Sequence, residues 1–446
     1  MKKVTTKVST LLLLALLGVG TISCDDKEDP ITPVEKPTEV VTLKGNITAD
    51  MTLKADKQYL LQGFVYVQAP AKLTIEAGTV IKGDAPSKGS LIIERGAQII
   101  ARGTVDKPIV FTSNMAKGTR RAGDWGGLVI LGNAPGNLGS NAVVEGSIDR
   151  QYGGDKPADN SGVLKYVRIE FAGIAFTPGN EINGLTLAGV GSGTEVDFVQ
   201  VSYSGDDAFE WFGGTANAKH LVAYKTVDDM FDTDNGFSGN VQFMLGIADP
   251  KVADSSKSNG FESDNNKAGD DTNPFTKARF SNVSLFGPLA TATTAADANF
   301  GSGMHFKNNT RISVYNSVIA GWPKGILLND AKMEANATSG ELQFKNNVLA
   351  GNTTQIALKE GSTYNAATWF TSNGNTQLAA NADLKIEGSF TQTGKPTLLP
   401  GSGSALLSGA SFEGISGFET VTYKGAFGTT DWTEKWTNFD PQNTDY

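Results

Sequence analysis

The sequence is poor in cysteine and in charge, and almost no stretch of it keeps a helical period. One Cys in 446 residues cannot build a disulfide framework, a thiolate zinc site or a redox pair. With apolar runs that hold the 3.6-residue spacing for two turns at most, a helical bundle is excluded. What is abundant is glycine: 52 residues with no collagen period, which together with only 19% charged residues points to a turn-rich, all-β protein. Length alone suggests about three domains, but β-solenoids run far longer as one unit.

Residues 1–23 read as a secretory signal. Lys2, Lys3 and Lys7 precede an apolar stretch, Leu11 to Val19, that is too short to span a bilayer. The run Gly20, Thr21, Ile22, Ser23, Cys24 resembles the bacterial lipoprotein signal, in which the cysteine becomes an acylated N-terminus, so Cys24 is the expected lipidation site and outer-membrane lipid its expected partner. Residues 24–42 open with Asp25, Asp26, Lys27, Glu28 and Asp29, continue rich in Pro, Thr and Glu, and read as a flexible tether. A cysteine followed at once by acids resembles the surface-export signal of Bacteroidota lipoproteins, which implies a lipid-anchored protein facing the cell exterior. Removing the leader takes away three lysines and no acid, deepening the formal net charge from −9 to −12, so no nucleic acid is expected as a partner.

Residues 43–446 read as a single domain. "LTIEAGTVIKGD" (73–84) and "SLIIERGAQIIARGTVDKPIVFTS" (90–113) place Leu or Ile at alternate positions between Gly turns. Strands at about this spacing suit a right-handed parallel β-helix, each rung hydrogen-bonded to the next, with loop insertions and terminal caps. The caps are expected at 43–63 and at about 420–446, where Trp432 and Trp436 form one face of a short helix or a wrapped segment.

A second register runs through the middle. Aligning "GDDAFEWFGG" (205–214), "VDDMFDTDNG" (227–236), "KSNGFESDNN" (257–266) and "SGMHFKNNT" (302–310) puts Phe209, Phe231, Phe261 and Phe306 in one inward column. Alternation then sends Glu210, Asp232, Glu262 and Lys307 outward in one file, and Phe212, Asp234, Asp264 and Asn309 in the next. Asp206, Asp207, Asp228 and Asp229 stand just before them. Two ionised carboxylates one rung apart repel by about 3.5 kcal/mol at an effective dielectric of 20. A cation relieves that, and Asp207, Asp229, Asp232, Asp234, Glu262 and Asp264 are hard-oxygen ligands of the kind Ca²⁺ takes. Ordinary turn chemistry for Asp and Asn is the competing reading. Trp211 and Phe212, beside Glu210, offer an aromatic platform for a sugar, or else pack in the core or rim.

A catalytic reading starts from the same acids. "GDDAF" and "DTDNG" resemble the aspartate motifs of polygalacturonases, but the family's Gly-His-Gly and Arg-Ile-Lys segments are missing and the motif order is reversed. A lyase needs a base beside the acids, for which His305 or Lys307 is available, with Asp232 and Asp234 as further candidates. His220 reads as a packed residue. No Gly-x-Ser-x-Gly elbow and no phosphate loop is present.

"GDWGGLVILGNAP" (123–135), "LKYVRIEFAG" (164–173), the stretch 181–239 and "YKGAFGTTDWTEKWTNFDPQ" (423–442) together resemble a group of right-handed, pectate-lyase-like β-helix lipoproteins of the Bacteroidota and some marine bacteria. The resemblance implies an envelope location and company with TonB-dependent transporters; it implies no reaction and carries no catalytic residue. Three functions follow as expectations: a β-helix binding a glycan, another extracellular ligand or a transporter, with Ca²⁺; a polysaccharide lyase or glycoside hydrolase; or a structural, adhesive envelope protein.

Overall fold

The computed structural model describes residues 39–177, 179–388 and 394–446; the signal, Cys24 and the tether as far as residue 38 lie outside the described residues. The described chain winds into a right-handed parallel β-helix whose strands form three ladders. Gln58–Val67 shows how a coil is made: its first half pairs in parallel with Val80–Gly83 and its second half with Ser90–Ile93, so one strand bends across two faces. Alternate residues point inward, as in Lys72–Ile75, where Leu73 and Ile75 are buried.

The face that matters for function, here the site sheet, stacks Ser90–Ile93, Leu128–Leu131, Leu185–Ala188, Phe209–Phe212, Phe231–Asp234, Glu262–Ser263, Ser302–Phe306, Lys324–Leu328 and Thr354–Leu358. Phe209 and Phe231 are register partners with rings 5.3 Å apart, and Phe261 follows at 6.5 Å. Phe306 is buried as expected but not in that column. Glu262 pairs with His305 and Ser263 with Phe306, so Met304 faces Phe261. The long excursion between these strands lets the chain re-enter two residues out of the aligned register, and a two-residue slip keeps the inward parity while changing every outward neighbour.

Between the other two ladders the chain turns a corner through left-handed residues stacked rung upon rung: Tyr166, Phe198, His220, Phe243, Asn282, Asn316 and Asn346, with φ between 51° and 61°. Non-glycine residues in this region are uncommon. Here stacking compensates: the first four rings lie 4.5, 4.1 and 5.0 Å apart, and His220 Nδ1 sits 2.8 Å from Asp197 Oδ1, the packed role expected of it. Further along, Asn346 Nδ2 donates to Asn316 Oδ1 at 2.7 Å.

The expected caps are differently placed. Residues 43–63 belong to the strands Val40–Ile47, Met51–Leu53 and Gln58–Val67 and are the first coils themselves. The segment from Ala405 onward, apart from two short 3₁₀ turns, is a strap that runs back along the corner. Asn346, Asn316 and Asn282 donate to the carbonyls of Gly409, Ser411 and Tyr423, and Gln200 donates to that of Asn438. Trp432 and Trp436 sit edge-on to Phe198, and Arg120, in an early coil, holds the carbonyls of Pro441 and Thr444. Backbone carbonyls with no strand partner find side-chain amides instead. The apolar end of the late coils is covered by the helix Ala366–Ser372, whose Trp369 and Phe370 pack against Phe344.

Candidate functional site

On the site sheet the outward file reads Thr186, Glu210, Asp232, Glu262, His305, Leu327. In the turn before it, Asp207 Oδ1 accepts from the backbone N–H of Asp229, and Asp229 accepts in turn from that of Asn259, so these carboxylates are held by the rung that follows them. Insertions raise two walls. One is the pair of hairpins Ala142–Val143 with Gln151–Tyr152 and Ala175–Thr177 with Asn180–Glu181, clasped where Asn180 Oδ1 accepts from the N–H of Gly146. The other is the loop bearing Asp254 to Lys257. They enclose a cleft of about 1020 Å³ lined, among the described residues, by ten carboxylic side chains and, of basic residues, only Lys257, Lys307 and His305.

Charge divides the cleft in two. At one end Glu262 is salt-bridged to Lys307 and its Oε2 lies 2.8 Å from His305 Nδ1. Burial pushes this carboxyl up, but His305 and Lys307 outweigh burial and hold it below the usual range. An ionised Glu262 only accepts, so Nδ1 carries the proton, which leaves Nε2 buried and unpartnered while the residue lines the cleft. At the other end compensation is weak, Lys307 pulling Asp232 down without reversing its shift. Asp207, Glu210 and Asp229 are between 5% and 8% exposed, and burial followed by the neighbouring carboxylates pushes them and Asp232 well up. Asp228 is pushed up to about 7, chiefly by burial. Glu145 shares Asn183 Nδ2 with Glu210.

Oxygen atoms of Asp207, Glu210 and Asp232 all lie within 4.8 Å of one another; so do those of Asp206, Asp207 and Asp228, and those of Asp229, Asp232 and Glu262. Ca²⁺ binds carboxylate oxygens at about 2.3–2.6 Å, so ligands on one ion lie within about 5 Å of each other. The set Asp207, Glu210 and Asp232 fits it in donor chemistry and spacing. Glu262, already neutralised, is the weakest of the expected ligands that line the cleft.

Of the residues singled out from the sequence, Asp207, Asp229, Asp232, Glu262 and Glu210 come together, with His305 and Lys307 beside them. Lys307 is one step along from its expected place: its N–H donates to Ser263 O and its ammonium lies 3.8 Å from Asp264. Asp234 and Asp264 form a file of their own that does not line the cleft, Asp234 being pushed up by burial and by its hydrogen bond to Asp264. Asn309 leaves the expected file for the loop carrying Asp271. Trp211 points inward between Phe209 and Phe237, and Phe212 packs under Tyr152, so neither ring is open to a ligand. Sequence reasoning missed Glu145, Glu181 and Asp254; all three arrive on insertions outside the repeat, where no periodic signal marks them.

A pectate-lyase-like β-helix domain matches residues 45–397. The chain belongs to that family. None of the curated proteins matches it. Among solved structures this family member is similar to the catalytic domain of a GH87 α-1,3-glucanase in complex with tetrasaccharides, at 14% identity and a TM-score of 0.30 over 79% of this chain and 71% of that one. It is also similar to the Dettilon tailspike protein, at 11% identity and a TM-score of 0.23 over 74% of this chain and 62% of the tailspike. At such identities and scores neither bears on chemistry.

Proposed function

We propose that this pectate-lyase-like β-helix is a glycan-binding protein of the cell envelope that takes up an acidic polysaccharide through a divalent cation, with Ca²⁺ as the ion its donors suit. The observation that carries this is the cluster Asp207, Glu210 and Asp232: three hard-oxygen donors of one sign held together by the coil, with Lys307 already committed to Glu262. A cation there would neutralise the cluster and present open coordination positions to sugar carboxylates and hydroxyls. The acidic tether and Cys24 support anchorage at the outer membrane facing outward, where a TonB-dependent transporter is a fitting partner. Calorimetric titration of the mature protein with Ca²⁺, followed by a polysaccharide panel with and without the ion, tests the reading. Absence of both cation binding and cation-dependent retention overturns it and leaves a structural or adhesive envelope protein.

One observation favours a second reading, a polysaccharide lyase or glycoside hydrolase. Glu262 orients His305, a cleft-lining imidazole whose Nε2 is buried without a partner, a group suited to proton transfer once substrate reaches it, with Lys307 adjacent. New unsaturated or reducing ends in the same panel, lost in His305→Gln, would establish it.

A further inference from the structure

Beyond the cleft, toward the first coils, the hairpins cover the site sheet and bury Ile92, Val129 and Thr186, and the far rim of that apolar cluster is aromatic. Phe64 and Tyr66 point outward from Gln58–Val67, in the same file sense as Glu210, with ring centroids 6.0 Å apart and edge-to-face. Tyr66 is four rungs from Glu210 through Ile92, Val129 and Thr186, about 19 Å along the axis. Phe176, on the hairpin that walls the cleft, lines the cleft and reaches back to lie 5.6 Å from Phe64. All three rings are half-buried and so offer a face or an edge to solvent.

Two cations sit on these rings. The Arg150 guanidinium lies 4.2 Å from the Tyr66 centroid and is balanced by Glu94 at 2.7 Å. The Lys88 ammonium lies 4.1 Å over Phe176 and has no ion-pair partner among the described residues. Its backbone is left-handed, φ 55°, a conformation that favours glycine. Other lysines of the chain, Lys257 and Lys385 among them, share this backbone, so what sets Lys88 apart is a charge held above an aromatic ring with no carboxylate against it among the described residues.

We infer that Phe64, Tyr66, Phe176 and Lys88 form a second sugar subsite, which takes a pyranose bearing a carboxylate or sulfate and extends the cleft along the solenoid axis. The ring surface that Lys88 and Arg150 leave uncovered, Phe64 foremost, receives the apolar C–H face of the sugar, and Lys88 meets its anionic group. The inference rests on the glycan reading above: the cleft would hold the polymer through a cation, and this platform would hold it directly.

The test is affinity electrophoresis of the mature protein through polygalacturonate and through an uncharged galactan, with and without Ca²⁺, for wild type, Lys88→Gly, Tyr66→Ala and Asp232→Asn. Lys88→Gly relieves a left-handed lysine, so its melting temperature should not fall, and weakened binding cannot be assigned to misfolding. The expected result is a loss of polygalacturonate retention by about tenfold in Lys88→Gly and Tyr66→Ala, including the retention that survives without Ca²⁺. Retention unchanged in those two but lost in Asp232→Asn would overturn the platform and leave the cleft standing. Loss in the two platform variants with none in Asp232→Asn would support the platform and overturn the cation-held cleft. A wild type that both gels leave unretarded would overturn both.

Discussion

Asp232, like Asp207, belongs to two of the three carboxylate sets, so replacing it with Asn tests the electrostatics of the cleft where two sets meet. Each ionised neighbour one rung away costs about 3.5 kcal/mol at an effective dielectric of 20. Lys307 offsets part of this, since burial and Glu262 push Asp232 up while Lys307 pulls it down. Partial protonation of the cluster removes more, leaving a net strain of about 2 kcal/mol. Without divalent cations Asp232→Asn should therefore melt about 2 °C higher than wild type near pH 8. Calcium reverses the order: a ligand at a hundred times its dissociation constant adds about 2.7 kcal/mol to the wild type, and the variant has lost a ligand on which two sets converge. Scanning fluorimetry in chelator and in millimolar Ca²⁺ should show the two melting curves exchange places. A variant destabilised equally in both conditions, or a wild type indifferent to Ca²⁺, would refute the reasoning.

Other outcomes follow from the same geometry. Asp206, Asp207, Glu210, Asp228, Asp229 and Asp232 are raised when folded, so between the ordinary carboxylate range and their folded values the native state binds more protons than the unfolded chain, and stability falls as pH rises. For Asp228 that window runs from 3.8 to about 7, so the cation-free protein should melt higher at pH 5 than at pH 8, a trend that saturating Ca²⁺ flattens. Lys307→Met leaves Glu262 without its salt bridge and should cost about 3 kcal/mol in chemical denaturation with or without Ca²⁺. Trp436→Ala, which opens the strap over Phe198 and Tyr166, should cost about 3–4 kcal/mol while leaving Ca²⁺ affinity unchanged in calorimetry.

Much of the architecture was legible because a solenoid repeats. Alternation in 73–84 and 90–113 marked strands, and the Phe209, Phe231 and Phe261 column placed Glu210, Asp232 and Glu262 on one wall. The reading failed where repetition stops. The excursion before Ser302 hides a two-residue slip that only hydrogen bonding fixes, so His305 rather than Lys307 stands next to Glu262. Trp211 obeys the same alternation as its neighbours, and taking it for a sugar platform set its chemistry above its parity. Of the two expectations for Trp432 and Trp436 the wrapped segment is the one observed, but its course along the corner was not legible, because its partners are asparagine and glutamine amides with no pattern of their own until the coils stack them.

That strap sets an order on maturation. Arg120 and Pro441 are separated by 321 residues, and closing so distant a contact before the intervening coils exist has little to reward it. The coils must wind first, each templating its successor, and the returning segment then fastens early and late turns together in one late step. A ribosome-stalled or clipped chain would have every coil in place and still lack the stitch that keeps them from unwinding one by one.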